Sequence, residues 1–500
     1  MKYHYEYGKS YLINACKSGN ELLVRYLVKL GIDINKNYYK NETPLFYACE
    51  NGNEKIVKYL VEHAADINRE NYDDKTPLFY ACENGNEKIV KYLIELGADI
   101  NKEDKDGETP LFYACENGNK KIVKYLVEHG ADINKEDKDG ETPLFNACSS
   151  GNECLVKYLI ELRAYINKED KDGETPLFYA CENGNEKIVK YLVEHGADIN
   201  KEVKDGETPL FNSCREGHEI VVKYLVELGA NVNKENNDGK TPLCGACWGN
   251  HENVVKYLLE HGADADVNKE DKEDRTLLFN ACGNGKENIM KYLVDYGADV
   301  NKMDIYHATP LLYACKNGNE KIVKYLVEHG ADINTYDEYG QTALLYAFCY
   351  NGDKKIKKVV KYLVEHGVDI NSKDMDGTPV LYFACSNQFK DDEKMTKYLV
   401  EHGADINKED YDGQTSLFYV CKNGNEKNVK YLVEHGADIN KVDCSGKTPL
   451  FYACKNGNEK IIKYLVEHGA NINKVDYDGK TPLNYAREKG YENIVKYLVN

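Results

Sequence analysis

The chain has 500 residues, 30% of them charged, and a formal net charge of −19, with a mean hydropathy of −0.64. That acidity repels a phosphate backbone and argues against nucleic acid as a partner. No apolar run reaches the ~18 residues of a membrane span, and the opening segment MKYHYEYGKS lacks the apolar stretch of a secretory signal. With no such signal, the 17 Cys read as reduced thiols in an intracellular compartment, cytoplasmic or nuclear.

Along the chain, one unit recurs. All 11 Pro follow a Thr, and the register runs through Thr43, Thr76, Thr109, Thr142, Thr175, Thr208 and Thr241 at a spacing of 33. It continues at Thr276, Thr309, Thr342, Pro379 in the Thr position, Thr415, Thr448 and Thr481, and Ser10 extends it backwards. Three spacings depart, at 35 (241 to 276), 37 (342 to 379) and 36 (379 to 415). The extra residues fall at Asp264-Ala265, near Phe348, at Asp353-Lys354-Lys355 and at Gln388-Phe389-Lys390. Surface loops accept insertions at small cost, and these read as recognition loops or changes of curvature.

Within the unit that starts at Thr109, Thr109 is a good helix N-cap and Pro110 suits the first helical position, where no N–H is needed. Leu111, Ala114 and Cys115 form a short apolar stripe, and Asn117-Gly118 stops the helix. Asn119 caps a second helix whose Ile122, Val123, Tyr125, Leu126 and Val127 recur at helical spacing. Gly130 closes it, Ala131 to Asn134 is extended, and Asp137-Lys138-Asp139-Gly140 is turn chemistry. Each unit therefore predicts helix, turn, helix and a hairpin-like finger. Neither helix is long enough to be stable alone, so each must bury its stripe against the next unit in a one-dimensional stack.

The segments T-P-L-F-x-A-C, G-N-E-x-I-V-K-Y-L and G-A-D-I-N resemble ankyrin repeats, which share the 33-residue period. The resemblance covers residues 10 to 500 in about fifteen copies. It implies an all-α fold of helix-turn-helix plus hairpin-finger repeats, an ankyrin-type α-solenoid. The family's His after T-P-L, which links neighbouring loops, is replaced here by Phe46, Phe79, Phe112, Phe145 and others, so apolar packing should take over that link. The resemblance also implies finger Asn residues, such as Asn101 or Asn134, of the kind hydroxylated in some ankyrin-type proteins.

Residues 1–42 read as an N-terminal capping repeat and 43–480 as an array of about thirteen repeats. Residues 481–500 read as a C-terminal capping half-repeat, with Asn484, Arg487 and Lys489 where inner units carry Phe, Cys and Asn. Caps need one polar face.

Candidate chemistry is sparse. Cys16, Cys49, Cys82 and their equivalents through Cys454 hold one register position, where Cys acts as a small hydrophobe. Stacked helices lie roughly 8–10 Å apart, beyond the ~7 Å Cα limit of a disulfide. The lone Cys244-x-x-Cys247 with His251 lacks a second ligand pair for a metal. Nine His, including His63, His129 and His468, end second helices, where they suit the helix dipole. No catalytic or cofactor motif appears, so no enzyme, cofactor or metal is expected.

What remains is protein binding along the concave groove and finger tips, by a monomeric scaffold whose acidity favours a basic partner. A substrate-recruiting or inhibitory regulatory subunit of an enzyme complex is the alternative. The tips of the middle repeats are uniform (Lys105-Asp106, Lys138-Asp139, Lys171-Asp172) and offer little to recognise. The irregular stretch carries Trp248, Ile305, Tyr306, His307, Asp337, Glu338, Tyr339 and Tyr350. Exposed rigid aromatics of this kind mark binding hot spots, so this strip is the expected contact surface.

Overall fold

The computed structural model describes residues 11–37, 39–263, 267–350, 353–385 and 392–499, without the side chains of 39, 349, 350, 353–356 and 392. Among these residues there are thirty α-helices in fifteen pairs, no strand longer than an isolated bridge, and no helix long and apolar enough to cross a membrane. The chain forms two compact units, Met1–Gly262 and Ala263–Asn500. Ser10 and the extra residues at 264–265 and 388–390 lie outside the described residues.

A typical pair is Pro110–Asn117 and Lys120–Glu128. Pro110 occupies the first turn as expected, and Gly118 ends the helix at φ 76°, a left-handed conformation in which glycine is unstrained. Asn119 caps the second helix, its Oδ1 accepting from the Lys121 and Ile122 N–H groups. The Thr caps hold differently from the expectation. Thr109 has extended backbone angles at the N-cap, but its side chain makes no cap hydrogen bond. The Thr109 carbonyl instead accepts from the Phe112 N–H at 3.0 Å. Thr208 does cap with its hydroxyl, which accepts from the Phe211 N–H at 3.3 Å, and Thr481 forms a capping box with Asn484.

The first helix buries nearly everything it carries: Leu111, Phe112, Tyr113, Ala114 and Cys115 all lie inside. From the second helix, Ile122, Val123 and Leu126 join them. Fully burying a side chain of this size is worth about 1.5–3 kcal/mol, and most of that contact is with the neighbouring repeat.

Phe packs between repeats as expected, with a specific partner. Phe46 meets the Tyr80 ring edge-on at 5.4 Å, and Phe79–Tyr113, Phe145–Tyr179 and Phe451–Tyr485 repeat the geometry. Each such Tyr then reaches a finger carboxylate. Tyr113 O–H donates to Asp104 at 2.8 Å and Tyr485 to Asp476 at 2.8 Å, while Tyr179 donates to Glu141 at 2.6 Å. The ring contact thus crosses to the next repeat, while the phenol ties its helix to the finger of its own repeat at Tyr113 and Tyr485 and to the preceding finger at Tyr179.

The insertion at 353–355 becomes helix rather than loop. The second helix there, Asp353–Glu365, has 13 residues against the usual 9. The two ends also differ. The last repeat exposes Asn484, Arg487 and Lys489. In the first repeat, Leu22, Tyr26 and Leu30 on and after helix Glu21–Lys29 are exposed. Leu23 and Tyr26 stand in the register of Ile56 and Tyr59, which are buried between repeats.

Candidate functional site

The fingers owe their shape to three sets of hydrogen bonds. The finger Asn bridges to the next repeat: Asn101 Nδ2 donates to the Gly130 carbonyl at 3.0 Å, and its Oδ1 accepts from the Asp132 N–H at 3.1 Å. The same two-point contact recurs at Asn68, Asn301 and Asn440. At the tip, Asp104 Oδ1 accepts from the N–H groups of Asp106 and Glu108, both at 3.0 Å, closing the turn on itself. Successive tips are then joined backbone to backbone, as in Lys138 N–H to Asp106 carbonyl and Lys171 N–H to Asp139 carbonyl. In the first compact unit this ladder presents alternating Lys and Asp side chains.

Behind the tips of the first unit, the residue directly before Thr is a carboxylate in several successive repeats. Lys75 fills that register in the third repeat, 3.7 Å from Asp104 and 4.3 Å from the Tyr113 ring centre. Glu108, Glu141, Glu174 and Glu207 follow at the same position. Glu207 pairs with Arg215 at 3.0 Å, whereas Glu174 has no ion pair among the described residues. Burial raises Glu108 and Glu141 above the ordinary carboxylate range. Burial, then the neighbouring charges of Asp170, Glu182 and Asp172, lift Glu174 to about 7. The row is a half-buried acidic strip poorly supplied with cations.

Of the expected contact residues, Trp248 belongs to the first compact unit. It is exposed on helix Pro242–Gly249, with Lys240 Nζ 4.8 Å from its ring centre. Ile305, Tyr306 and His307 are exposed on one tip of the second unit, and Glu338 and Tyr339 on the next. The Glu338 N–H donates to the Tyr306 carbonyl at 2.8 Å, which sets the two tips side by side. The Glu338 carboxylate beside Tyr339 raises its phenol pKa. His307 stands at φ 59°, where most other tips use glycine and Asp74 and Asp274 share the conformation.

Asp337 is a correction. It is 3% exposed, its Oδ1 accepting from Tyr339 and Gln341 N–H groups and its Oδ2 from Tyr346 O–H. Its carboxylate builds the turn and is not free to meet a partner. The Tyr350 side chain lies outside the described residues.

The sequence reading missed the later tips of the second unit, where Met375, Tyr411, Cys444 and Tyr477 occupy one register position and are all exposed. The signal was available: the same position carries Lys through the third to sixth fingers of the first unit.

The other candidates take structural roles. The described cysteines are free thiols; burial pushes Cys16 and Cys181 up to about 12 and the ladder thiols between them higher or alike, so all stay protonated. His129 Nδ1 bonds the Tyr125 carbonyl one turn back at 2.8 Å, with the two rings stacked at 4.0 Å. His251 Nε2 contacts the Arg215 carbonyl at 2.9 Å rather than pairing with Cys244 or Cys247. Among the described residues, no group of three or more His, Cys, Asp or Glu could hold a metal.

The family described as ankyrin repeats (3 copies) matches residues 2–71, 69–137, 132–203, 200–271, 263–337, 334–410, 357–443 and 417–500. No curated protein matches the chain. Among solved structures, the crystal structure of the human ASB11 ankyrin repeat domain is similar at 26% identity and a TM-score of 0.41. The match covers 45% of this chain and 99% of that one.

Proposed function

The chain belongs to the ankyrin-repeat family, whose repeats serve as protein–protein interaction modules and are typically non-catalytic, and from that premise we propose that it is a non-enzymatic scaffold binding a protein partner along its groove and finger tips. The observation that carries the reading is the tip ladder. Its backbone is fixed by bonds that leave the side chains at the apex pointing into solvent, as at Ile305, Tyr306, Glu338 and Tyr339.

The half-buried carboxylates Glu108, Glu141 and Glu174 support a basic partner, since an arriving cation would offset their burial and the repulsion from the carboxylates beside them. Free thiols throughout the described ladder suit a reducing, intracellular setting. Trp248 lies in the first unit and supports a separate contact there.

Two variants test the reading with an affinity-purified full-length chain, Tyr306→Ala/Tyr339→Ala and Trp248→Ala. Loss of specific bound proteins with either variant supports a contact at that place. An unchanged set of bound proteins with both would remove these residues from the interface.

A further inference from the structure

The second compact unit presents a second strip on its fingers, distinct from Tyr306 and Tyr339. Counting back from the Thr register, the fourth residue is Met375, Tyr411, Cys444 and Tyr477 in four successive repeats. Their backbones are tied in a row: Tyr411 N–H to Asp376 carbonyl at 3.5 Å, Cys444 to Asp412 at 2.8 Å and Tyr477 to Ser445 at 3.1 Å. Each Tyr ring lies on the glycine of the preceding tip. A Cβ added to Gly377 would sit 2.8 Å from the Tyr411 ring, and one on Gly446 would sit 2.9 Å from Tyr477. One face of each ring is therefore seated on backbone while the residues stay 72% and 79% exposed.

Beside these side chains stand Asp376, Asp412 and Asp478, all exposed and without an ion pair among the described residues. A seated aromatic face next to a free carboxylate matches one chemical group well. A guanidinium stacks on the ring and donates to the carboxylate in a single pose, which an ammonium does less well.

The spacing narrows the partner further. Same-register residues recur at the stacking distance of helix pairs, roughly 8–10 Å. A polyproline-II segment has three residues per turn and rises about 3.1 Å per residue, so every third side chain returns to one face at about 9 Å. Resting on the protein-binding reading above, we propose that the Met375–Tyr477 strip docks an extended, Pro-rich protein segment bearing Arg at every third position.

The probe is a fluorescent peptide of four Arg-Pro-Pro triplets, titrated against the full chain by anisotropy at low and physiological salt. Binding should weaken about tenfold in Tyr411→Ala/Tyr477→Ala, from the loss of two exposed cation–π contacts. Asp376→Asn/Asp412→Asn/Asp478→Asn should weaken it and flatten its salt dependence. A Lys-Pro-Pro peptide should bind less tightly than its Arg counterpart. Removing the same number of carboxylates from the first unit, in Asp106→Asn/Asp139→Asn/Asp172→Asn, should change affinity less than twofold.

Equal loss in both Asn variants, or no loss in the Tyr variant, overturns the strip as the docking site. That result leaves the scaffold reading standing, because its own test uses Tyr306, Tyr339 and Trp248. No binding by the wild-type chain overturns the Arg-triplet partner outright.

Discussion

Replacing Asn428 by Ile should stabilise the thirteenth repeat, against the usual direction of core substitutions. Asn428 sits in helix Glu426–Glu434, at a position that is Ile56, Ile122, Ile322 and Ile461 elsewhere. It is fully buried, and neither its Nδ2 nor its Oδ1 has a hydrogen-bond partner. Each unmet group costs about 1–3 kcal/mol, and Ile adds apolar burial of similar size. Fitting the larger side chain returns some of this as strain, on the order of 1 kcal/mol. With each contribution taken at the low end of its range, the net expectation is a gain of about 2–4 kcal/mol. Because each repeat touches only its neighbours, the gain should stay local. Hydrogen exchange read by mass spectrometry on the intact chain is the suitable assay, since a long array need not unfold in one step. Peptides covering residues 416–434 should exchange roughly 30- to 1,000-fold more slowly, at tenfold per 1.4 kcal/mol. Asn428→Val controls for overpacking. If both variants leave exchange there unchanged or faster, the buried amide is not the weak point inferred here.

Three further outcomes follow from the geometry. Asn101→Ala removes both bonds to the next finger; at ~1 kcal/mol for such exposed contacts, the Asp132 amide should exchange about fivefold faster, and an unaltered rate would refute the bridge. Glu174 is raised from 4.5 to about 7 by burial and its acidic neighbours, so its protonated form is favoured on folding and its contribution is complete below about pH 4.5 and lost as pH climbs through about 7. Glu174→Gln should therefore raise Tm at pH 8 and scarcely change it at pH 5; equal effects at the two pH values would contradict this. Among the described cysteines, only exposed Cys154 and Cys444 should alkylate readily in the native chain, counted by intact mass, and comparable labelling of the Cys49 or Cys115 position would show the ladder to be open.

Much of the fold was legible because one pattern is printed fifteen times. The Thr register, the Gly stops and the apolar spacing located both helices of the typical repeat, such as Pro110–Asn117 and Lys120–Glu128. What was not legible involved side chains whose partners lie in another part of the repeat. Asp337 looks like ordinary turn chemistry, and only its contact with Tyr346 nine residues on shows that it is interior. Thr at the N-cap invites a hydroxyl cap, yet Thr43 and Thr142 leave that oxygen unpaired while the backbone makes the bond. Leu22 and Tyr26 stand exposed on a first repeat that the sequence reads as a cap. At the candidate surface, Tyr306 and Tyr339 were found as exceptions to the consensus. Tyr411 and Tyr477 were passed over because each seemed an isolated change until the tips were set in a row.

The tip turns are closed by Asp104 and its equivalents through backbone N–H groups, and joined through other backbone atoms. None of those bonds involves the side chains at the two apex positions, which read Lys-Asp in one repeat, Ile-Tyr in another and Tyr-Asp in a third. Mutation at the apex can therefore change the surface presented to solvent while the bonds that close each turn stay in place. A duplicated repeat inherits a finished frame whose apex is free to diverge, so new specificity can accumulate one side chain at a time.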